Sequence, residues 1–339
     1  MDLERYSRQI TLPGFGEAGQ RRLLAARVAV VGMGALGSLV STYLARAGIG
    51  NLLLIDRDYV ELNNVQRQVL FDETDARTLE PKALAAARKL SAANSQVRIQ
   101  AEVADLNPTN AERLLAGCDL VVDGTDNFQT RYLINDYSIK HDVPWVYGGV
   151  IGSYGLSITF VPGSGPCLRC LFPDPPQPGT VPTCETAGVL GPAAGMVASW
   201  QAAETIKLLL GQGAVNRGVI YFDLWNCRIE TLGEVSPSPH CPACSQRRFE
   251  FLDSTLSGRT TSLCGRNAVQ VLPARPFSPD FPALAERLKA IGRVAYNDYL
   301  LRFVANGYEI TLFADGRAIV KGTEDQALAQ SLYARYIGH

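Results

Sequence analysis

Gly32-Met33-Gly34-Ala35-Leu36-Gly37 follows the apolar run Arg27–Val31 and opens a helical pattern. Glycines at this spacing permit a tight turn and let backbone N–H groups approach a phosphate, with the helix N-terminus adding partial positive charge. Asp56 stands about 20 residues further on, at the end of a second apolar run, where a carboxylate can hold ribose hydroxyls. A glycine turn built only for packing is the competing explanation. Strand, helix and acid in these places favour nucleotide binding, without separating NAD from ATP.

Three further groups bear on that choice. Asn63, Asn64, Gln66, Arg67 and Gln68 trail the ribose acid, and Lys82 opens the next helix. A solvated polar loop explains an isolated Arg or Lys equally well. A triphosphate, unlike NAD, needs extra cations to neutralise the departing pyrophosphate. Asp123-Gly124-Thr125-Asp126-Asn127 ends a later apolar run. A carboxylate at such a strand end can hold Mg²⁺ against phosphate oxygens; Asp126 or Asn127 could equally cap the following helix.

Cys167-Leu-Arg-Cys170 and Cys241-Pro-Ala-Cys244 supply two Cys-x-x-Cys pairs. Together they can make a four-thiolate zinc site, structural because no coordination position stays open. The long separation between the pairs leaves redox pairing or isolated thiols as alternatives. Cys184 follows a proline-rich stretch and precedes a long apolar helix. A thiol near a helix N-terminus can be a nucleophile, or a small apolar filler. Cys118, Cys227 and Cys264 are read as filler.

These residues require a scaffold. Strand patterns at Arg27–Val31, Leu52–Ile55, Val97–Glu102, Asp119–Asp123 and Trp145–Tyr147 alternate with helical patterns at Leu36–Ala47, Pro81–Ala93, Thr109–Ala116 and Phe128–His141. Such alternation means an α/β, Rossmann-like, mostly parallel sheet with helices on both faces. Pro81 suits a first helical turn, where no N–H is needed. A strand at Leu156–Val161, an irregular stretch at Phe172–Pro182, a helix at about Met196–Leu210 and strands at Val219–Leu224 and Arg228–Leu232 complete a zinc-stabilised second half. The expected division is a large domain at 1–253, with a nucleotide-binding half at about 1–150 and a zinc half at about 151–253, and a small α+β domain at 254–339. In the latter, Asn306-Gly307 and Asp315-Gly316 predict type I′ hairpins with two positive-φ residues each. Thr323-x-x-Gln326 predicts a capping box opening the last helix.

Composition sets outer limits. The 339 residues are 47% hydrophobic and 19% charged, with net charge −1. That balance excludes a disordered chain and gives no electrostatic pull toward nucleic acid or an anionic membrane. Only His141, His240 and His339 are histidines, which argues against a histidine-based site. The charged N-terminus has no apolar core of a signal peptide. Val28–Ile55 parses as strand, glycine turn, helix and strand rather than a membrane span. A cytoplasmic protein is the expectation.

The combination resembles the ThiF/MoeB/HesA family, bacterial relatives of ubiquitin-activating enzymes. The resemblance rests on Arg5-Tyr-Ser-Arg8-Gln, the glycine motif, Asp56-Arg-Asp58, Asn64-Val-Gln66-Arg67-Gln68, Pro81-Lys82, Thr125-Asp126-Asn127, both cysteine pairs and Cys184 before Gly-Val-Leu-Gly-Pro. The tail, with Leu263–Asn267 and Phe313–Arg317, is similar to the extension of some ThiF-type members. The resemblance implies ATP- and Mg²⁺-dependent adenylation of a ubiquitin-fold sulfur-carrier protein at its C-terminal Gly-Gly carboxylate. That activation serves thiamine-thiazole, molybdopterin or related sulfur transfer. It further implies Asp56 on the ribose, Asn64, Arg67 and Lys82 on the phosphates, Asp126 on Mg²⁺, and Arg8 reaching the partner subunit's triphosphate in a homodimer. The paired cysteines bind zinc, and Cys184 can bond covalently to the carrier. Ala35 replaces a glycine of many relatives at a backbone contact. With no rhodanese-type Cys loop in the tail, sulfur is expected from a donor such as a cysteine desulfurase. An NAD-dependent oxidoreductase with structural zinc and a non-catalytic nucleotide-binding scaffold are the alternatives.

Overall fold

The computed structural model describes residues 3–176, 182–233, 235–253, 260–263, 267–273 and 277–338. The strands are β1 Arg27–Val31, β2 Asn51–Ile55, β3 Arg98–Glu102, β4 Leu120–Asp123, β5 Trp145–Ile151, β6 Tyr154–Phe160, β7 Val219–Asp223 and β8 Arg228–Leu232, then β9 Thr260–Leu263, β10 Ala268–Val271, β11 Arg293–Tyr296, β12 Leu300–Ala305, β13 Tyr308–Phe313 and β14 Ala318–Lys321. The helices are α1 Ser7–Ile10, α2 Gly16–Ala25, α3 Ala35–Ala47, α4 Glu73–Thr78, α5 Lys82–Ala93, α6 Ala111–Leu114, α7 Phe128–His141, α8 Leu168–Leu171, α9 Cys184–Ala187, α10 Gly191–Leu210, α11 Phe281–Lys289 and α12 Gln326–Tyr336.

Eight strands form one sheet in the order β3-β2-β1-β4-β5-β6-β7-β8. Pairing is parallel from β3 to β5 and antiparallel from β5 to β8. Alternation divides the strand residues between two cores. Val28, Val30, Leu52, Leu54, Leu120 and Val122 pack on residues of α3, α5 and α10. Ala29, Val31, Leu53, Ile55 and Val121 pack on residues of α6 and α7. Each such Val, Leu or Ile side chain, fully removed from water, contributes about 1.5–3 kcal/mol.

The chain divides into two compact units, Met1–Pro176 with Ala187–Thr255, and Gln177–Thr186 with Leu256–His339. The segment carrying Cys184 thus groups with the C-terminal residues. The second unit holds an antiparallel six-stranded sheet, β11-β12-β13-β14-β10-β9. Its core joins Val269, Leu301, Phe303, Ile310, Leu312 and Val320 to Leu284 and Leu288 of α11 and Leu332 and Tyr336 of α12. Among the described residues, no helix is long and apolar enough to cross a membrane.

Several local readings change. The long helix starts at Gly191, because Pro192 occupies its first turn without needing a donor. Pro81 is the extended N-cap of α5 rather than a helical residue. The helix expected at Thr109–Ala116 shortens to Ala111–Leu114. Asn306 and Gly307 both take positive φ, but in the second hairpin only Gly316 does. Asp325, not Thr323, caps α12, its carboxylate accepting the Ala327 and Leu328 N–H groups. Cys118 is buried as expected of filler, whereas Cys227 is exposed in the β7–β8 turn at φ 52°. Cys264 and residues 177–181 of the proline-rich stretch lie outside the described residues.

Candidate nucleotide and metal sites

The parallel register gathers the candidate nucleotide-site residues. Val31 pairs with Ile55 on one side and Asp123 on the other. The glycine turn, Asp56 and the Asp126 loop therefore leave the sheet at one level, the carboxyl edge where open α/β sheets bind ligands. Gly32 donates its N–H to Ile55, and Gly124 donates to Val31, both at 2.7 Å.

Two glycines of the turn are held by close contact. A Cβ on Gly37 would lie 1.8 Å from the Gly32 carbonyl oxygen, and one on Gly32, at φ 86°, would lie 2.7 Å from the Gly124 carbonyl oxygen. Gly34 differs: its nearest neighbour would be the Gln68 amide nitrogen at 3.9 Å. Packing thus fixes Gly32 and Gly37, while space remains over Gly34. The Oε1 of buried Gln68, beside that space, has no hydrogen-bond partner among the described residues. An open backbone cradle at a helix N-terminus fits a nucleotide phosphate, and the orphaned amide oxygen, an acceptor, fits a donor group of the nucleotide.

Asp56 is nearly buried. Its carboxylate accepts the Met33 N–H at 2.5 Å and the Asp58 N–H at 2.7 Å. Burial pushes its pKa up; Lys82 opposes the rise, Asp58 adds to it, and the two N–H donors hold it down in part. Lys82, also buried, has its ammonium 3.6 Å from Asp58. Asn64 is buried in a 3₁₀ turn and donates to Asn63. Arg67 is partly exposed and donates to the Asn63 carbonyl. The backbone at Gln66 and Arg67 lies next to Gly191, the start of α10. Asn63 and Gln66 are exposed.

Asn127 is the N-cap of α7, accepting the Thr130 N–H at 2.9 Å. Asp126 is exposed beside it, so of the two readings of this pair, capping belongs to Asn127. Arg131, which sequence reasoning passed over, is buried beneath the loop and bonded to Asp123. The signal was available as an arginine on the apolar side of a helix that follows a strand-end acid.

Arg8 does not join these residues within its own chain. Its neighbour Gln9 donates to the Ala47 carbonyl, and Tyr6 accepts from Asn94. Ala47 ends α3 and Asn94 caps the C-terminus of α5. Thirteen helical residues separate that end of α3 from the glycine turn, about 20 Å. Arg8 itself is exposed.

The four paired cysteines converge. Their sulfurs all lie within 4.8 Å of one another. Cys167 and Cys241 are 3.5 Å apart, Cys170 and Cys244 3.4 Å, and Cys167 and Cys170 3.8 Å. Tetrahedral zinc with bonds of about 2.3 Å requires sulfur separations near 3.8 Å. Contacts between the pairs as short as those within them favour one four-thiolate centre over two redox pairs. Burial and neighbouring thiols push the Cys167 pKa up, and that of Cys244 to about 11; a metal would offset that cost by stabilising thiolates. Cys184 is half-buried in α9, in the second unit.

Comparison with known proteins follows the same outline. The ThiF family pattern matches residues 6–243. The "Sulfur carrier protein ThiS adenylyltransferase" of Bacillus subtilis is 41% identical over 338 residues, 98% of this chain and 99% of that protein. The "SAMP-activating enzyme E1" of Haloferax volcanii is 43% identical, over 74% of this chain and 92% of that protein. A crystal structure of E. coli MccB with ATP superposes with a TM-score of 0.62 at 26% identity, covering 71% of this chain and 74% of the other. On a family pattern spanning most of the chain and a relative alike over nearly its whole length, this chain belongs to the ThiF family.

Proposed function

We propose that this enzyme adenylates the C-terminal Gly-Gly carboxylate of a ubiquitin-fold sulfur-carrier protein. The observation that carries the reading is the gathering of the open Gly34 cradle, Asp56, Lys82 and the Asp126 loop at one sheet edge. The oxidoreductase and scaffold alternatives account for the glycine turn but leave the cations and Asp126 without work.

Asp56 accepts the ribose hydroxyls, and Asn64, Arg67 and Lys82 draw charge from the phosphates. A carrier carboxylate oxygen attacks the α-phosphorus, the bond to pyrophosphate breaks, and an acyl adenylate remains. Little proton transfer is involved, so alignment and charge stabilisation carry the rate. Mg²⁺, for which the exposed Asp126 carboxylate is a suitable oxygen ligand, would neutralise phosphate charge. Arg8 of the partner subunit completes the site in a homodimer, since Arg8 stands a helix length from its own glycine turn. Zinc in the four-thiolate centre is structural. Cys184 acts after adenylation, on the activated or sulfur-loaded carrier, with sulfur supplied by a cysteine desulfurase. Residues 254–339 form an accessory domain.

The free edge suits a protein substrate. Among the described residues β8 ends the sheet with all five of its residues exposed, and its Ile229 and Leu232, with Trp225 (77% exposed) in the turn before it, leave apolar surface uncovered. We place the carrier there. The deciding measurement is exchange of labelled pyrophosphate into ATP, with and without a Gly-Gly-tailed carrier. Carrier-dependent exchange is expected. Nucleotide binding without exchange would favour the scaffold, and hydride transfer with NAD the oxidoreductase.

A further inference from the structure

Arg131 spends every nitrogen of its buried guanidinium on the surroundings of the Asp126 loop. Nε donates to the Asp123 carboxylate at 2.9 Å. One terminal nitrogen donates to the Thr125 and Gly148 carbonyls, each at 2.8 Å, and the other to the Tyr147 hydroxyl at 3.1 Å. The group lies 4.5 Å from the Tyr147 ring centroid and 5.6 Å from that of Phe128. Asp123, fully buried, turns its other oxygen to the Thr125 N–H at 2.8 Å and the Thr125 hydroxyl at 2.6 Å. From α10, Gln201 donates to the Asp123 carbonyl at 2.7 Å and the Val146 carbonyl at 3.2 Å.

A buried ion pair is a poor device for stability alone, because desolvation offsets most of its attraction and an apolar pair often does as well. What an apolar pair cannot do is bond a loop carbonyl, that of Thr125, and a strand carbonyl, that of Gly148 in β5, at once. The loop between β4 and α7 reads Gly124-Thr125-Asp126-Asn127 and has no large apolar anchor of its own. It is held by Gly124 against Gly32, by Asn127 at the helix cap, and between them by Thr125 on Asp123 and Arg131. Only Asp126 is left exposed to the nucleotide edge.

We propose that Arg131 is a positioning residue for the adenylation reaction, its guanidinium locking Thr125 to β4 and β5 so that Asp126 is held in register with the glycine turn. The proposal rests on the adenylation reading above. Lysine cannot reproduce the function, since a single ammonium lacks the planar fork that spans these acceptors. A side chain displaced by about 1 Å at a reacting centre costs about 100-fold in rate.

The test compares wild-type protein with Arg131→Lys by two readouts. In carrier-dependent pyrophosphate exchange, kcat should fall by about 100-fold, with KM for ATP altered less than about threefold, the signature of an interaction expressed in the transition state. In hydrogen-exchange mass spectrometry without ligand, peptides spanning 123–127 should exchange about tenfold faster while the other sheet strands keep their protection. Asp123→Asn, isosteric and still able to accept from Thr125, carries the same expectations should Arg131→Lys fail to fold. A folded variant with kcat and loop protection both unchanged overturns the proposal, as does faster exchange spread evenly over the unit. If wild-type protein shows no exchange activity, the adenylation reading fails on its own, and the hydrogen-exchange comparison still judges whether Arg131 fixes the loop.

Discussion

One oxygen of Asp56 accepts the Met33 N–H at 2.5 Å, so the acid ending β2 is bonded into the glycine turn that follows β1. The Asp58 N–H holds the other oxygen at 2.7 Å. The carboxylate is thereby fixed by the protein itself, and on the proposed reading ribose recognition and turn geometry depend on one group. Asp56→Ala should raise KM for ATP by about 10- to 100-fold, the loss of charge-assisted hydrogen bonds of about 1.5–3 kcal/mol. Burial raises this carboxyl's pKa, its largest effect, with Lys82 opposing. Protonation removes an acceptor, so ATP affinity in wild type should weaken as pH falls, starting above the ordinary carboxylate range near 4. Calorimetric titration of ATP across pH checks both; affinity flat to pH 4 would remove Asp56 from the site.

Cys244→Ser should lower zinc content and thermal stability together, because ligand loss removes folding free energy. Each kcal/mol lost corresponds to about 2–4 °C in a unit of this size. Metal analysis paired with a melting curve is the check. Metal-free protein melting at the wild-type temperature would mean the four thiols support the fold without an ion.

Arg8→Ala and Asp126→Ala should each abolish exchange without unfolding, since both side chains are exposed. Mixing the two variants should restore up to about a quarter of the activity if subunits reassort at random in dimers. Such a mixed dimer keeps one site with intact Asp126 and the partner's intact Arg8. Absence of recovery despite demonstrated subunit exchange would count against action across the interface.

On the proposed order, in which adenylation precedes thiol chemistry, Cys184→Ala should leave pyrophosphate exchange within about twofold of wild type. Carrier incubated with wild-type enzyme should give a reduction-sensitive or thioester-linked adduct by intact mass, absent in the variant. Collapse of exchange itself would assign Cys184 to packing instead.

Asp136 on α7 is buried, and its carboxylate accepts the Phe251 N–H at 3.0 Å. Burial pushes its pKa up to about 6, against the partial restraint of the Phe251 N–H, Arg169 and Asn135. The folded state therefore binds this proton more tightly than the unfolded chain. Stability is gained as pH falls through about 6 toward 4 and lost as pH rises through 6, by about 2–3 kcal/mol. Asp136→Asn is neutral throughout. Its melting temperature relative to wild type should be highest at pH 8 and decline toward pH 5. A constant difference over that range would refute the assignment.

Much of this molecule was legible because its signals are local. The apolar runs at Arg27–Val31 and Leu52–Ile55, the glycines between them and the acid at position 56 each impose a conformation on nearby chain, and the strands and helices fall within a few residues of expectation. Local signals fail where two residues compete for one role. Asp325 displaced Thr323 as the cap of α12, and between Asp126 and Asn127, which the sequence left open, only the structure chose Asn127 to cap α7, because cap geometry depends on φ and ψ that no single residue type fixes.

By itself the sequence determined the strand, glycine turn and helix of the candidate nucleotide edge and the pairing of cysteines within each Cys-x-x-Cys, since residues a turn apart must be neighbours. Tertiary structure alone decided that Cys167 meets Cys241 and Cys170 meets Cys244, closing one centre from pairs far apart in the chain. It also decided that Arg131 lies beneath the Asp126 loop, and that Arg8 stands a helix length from its own glycine turn. These are long-range juxtapositions, set by how a parallel sheet aligns its strand ends and stacks its helices, and no spacing along the chain encodes them.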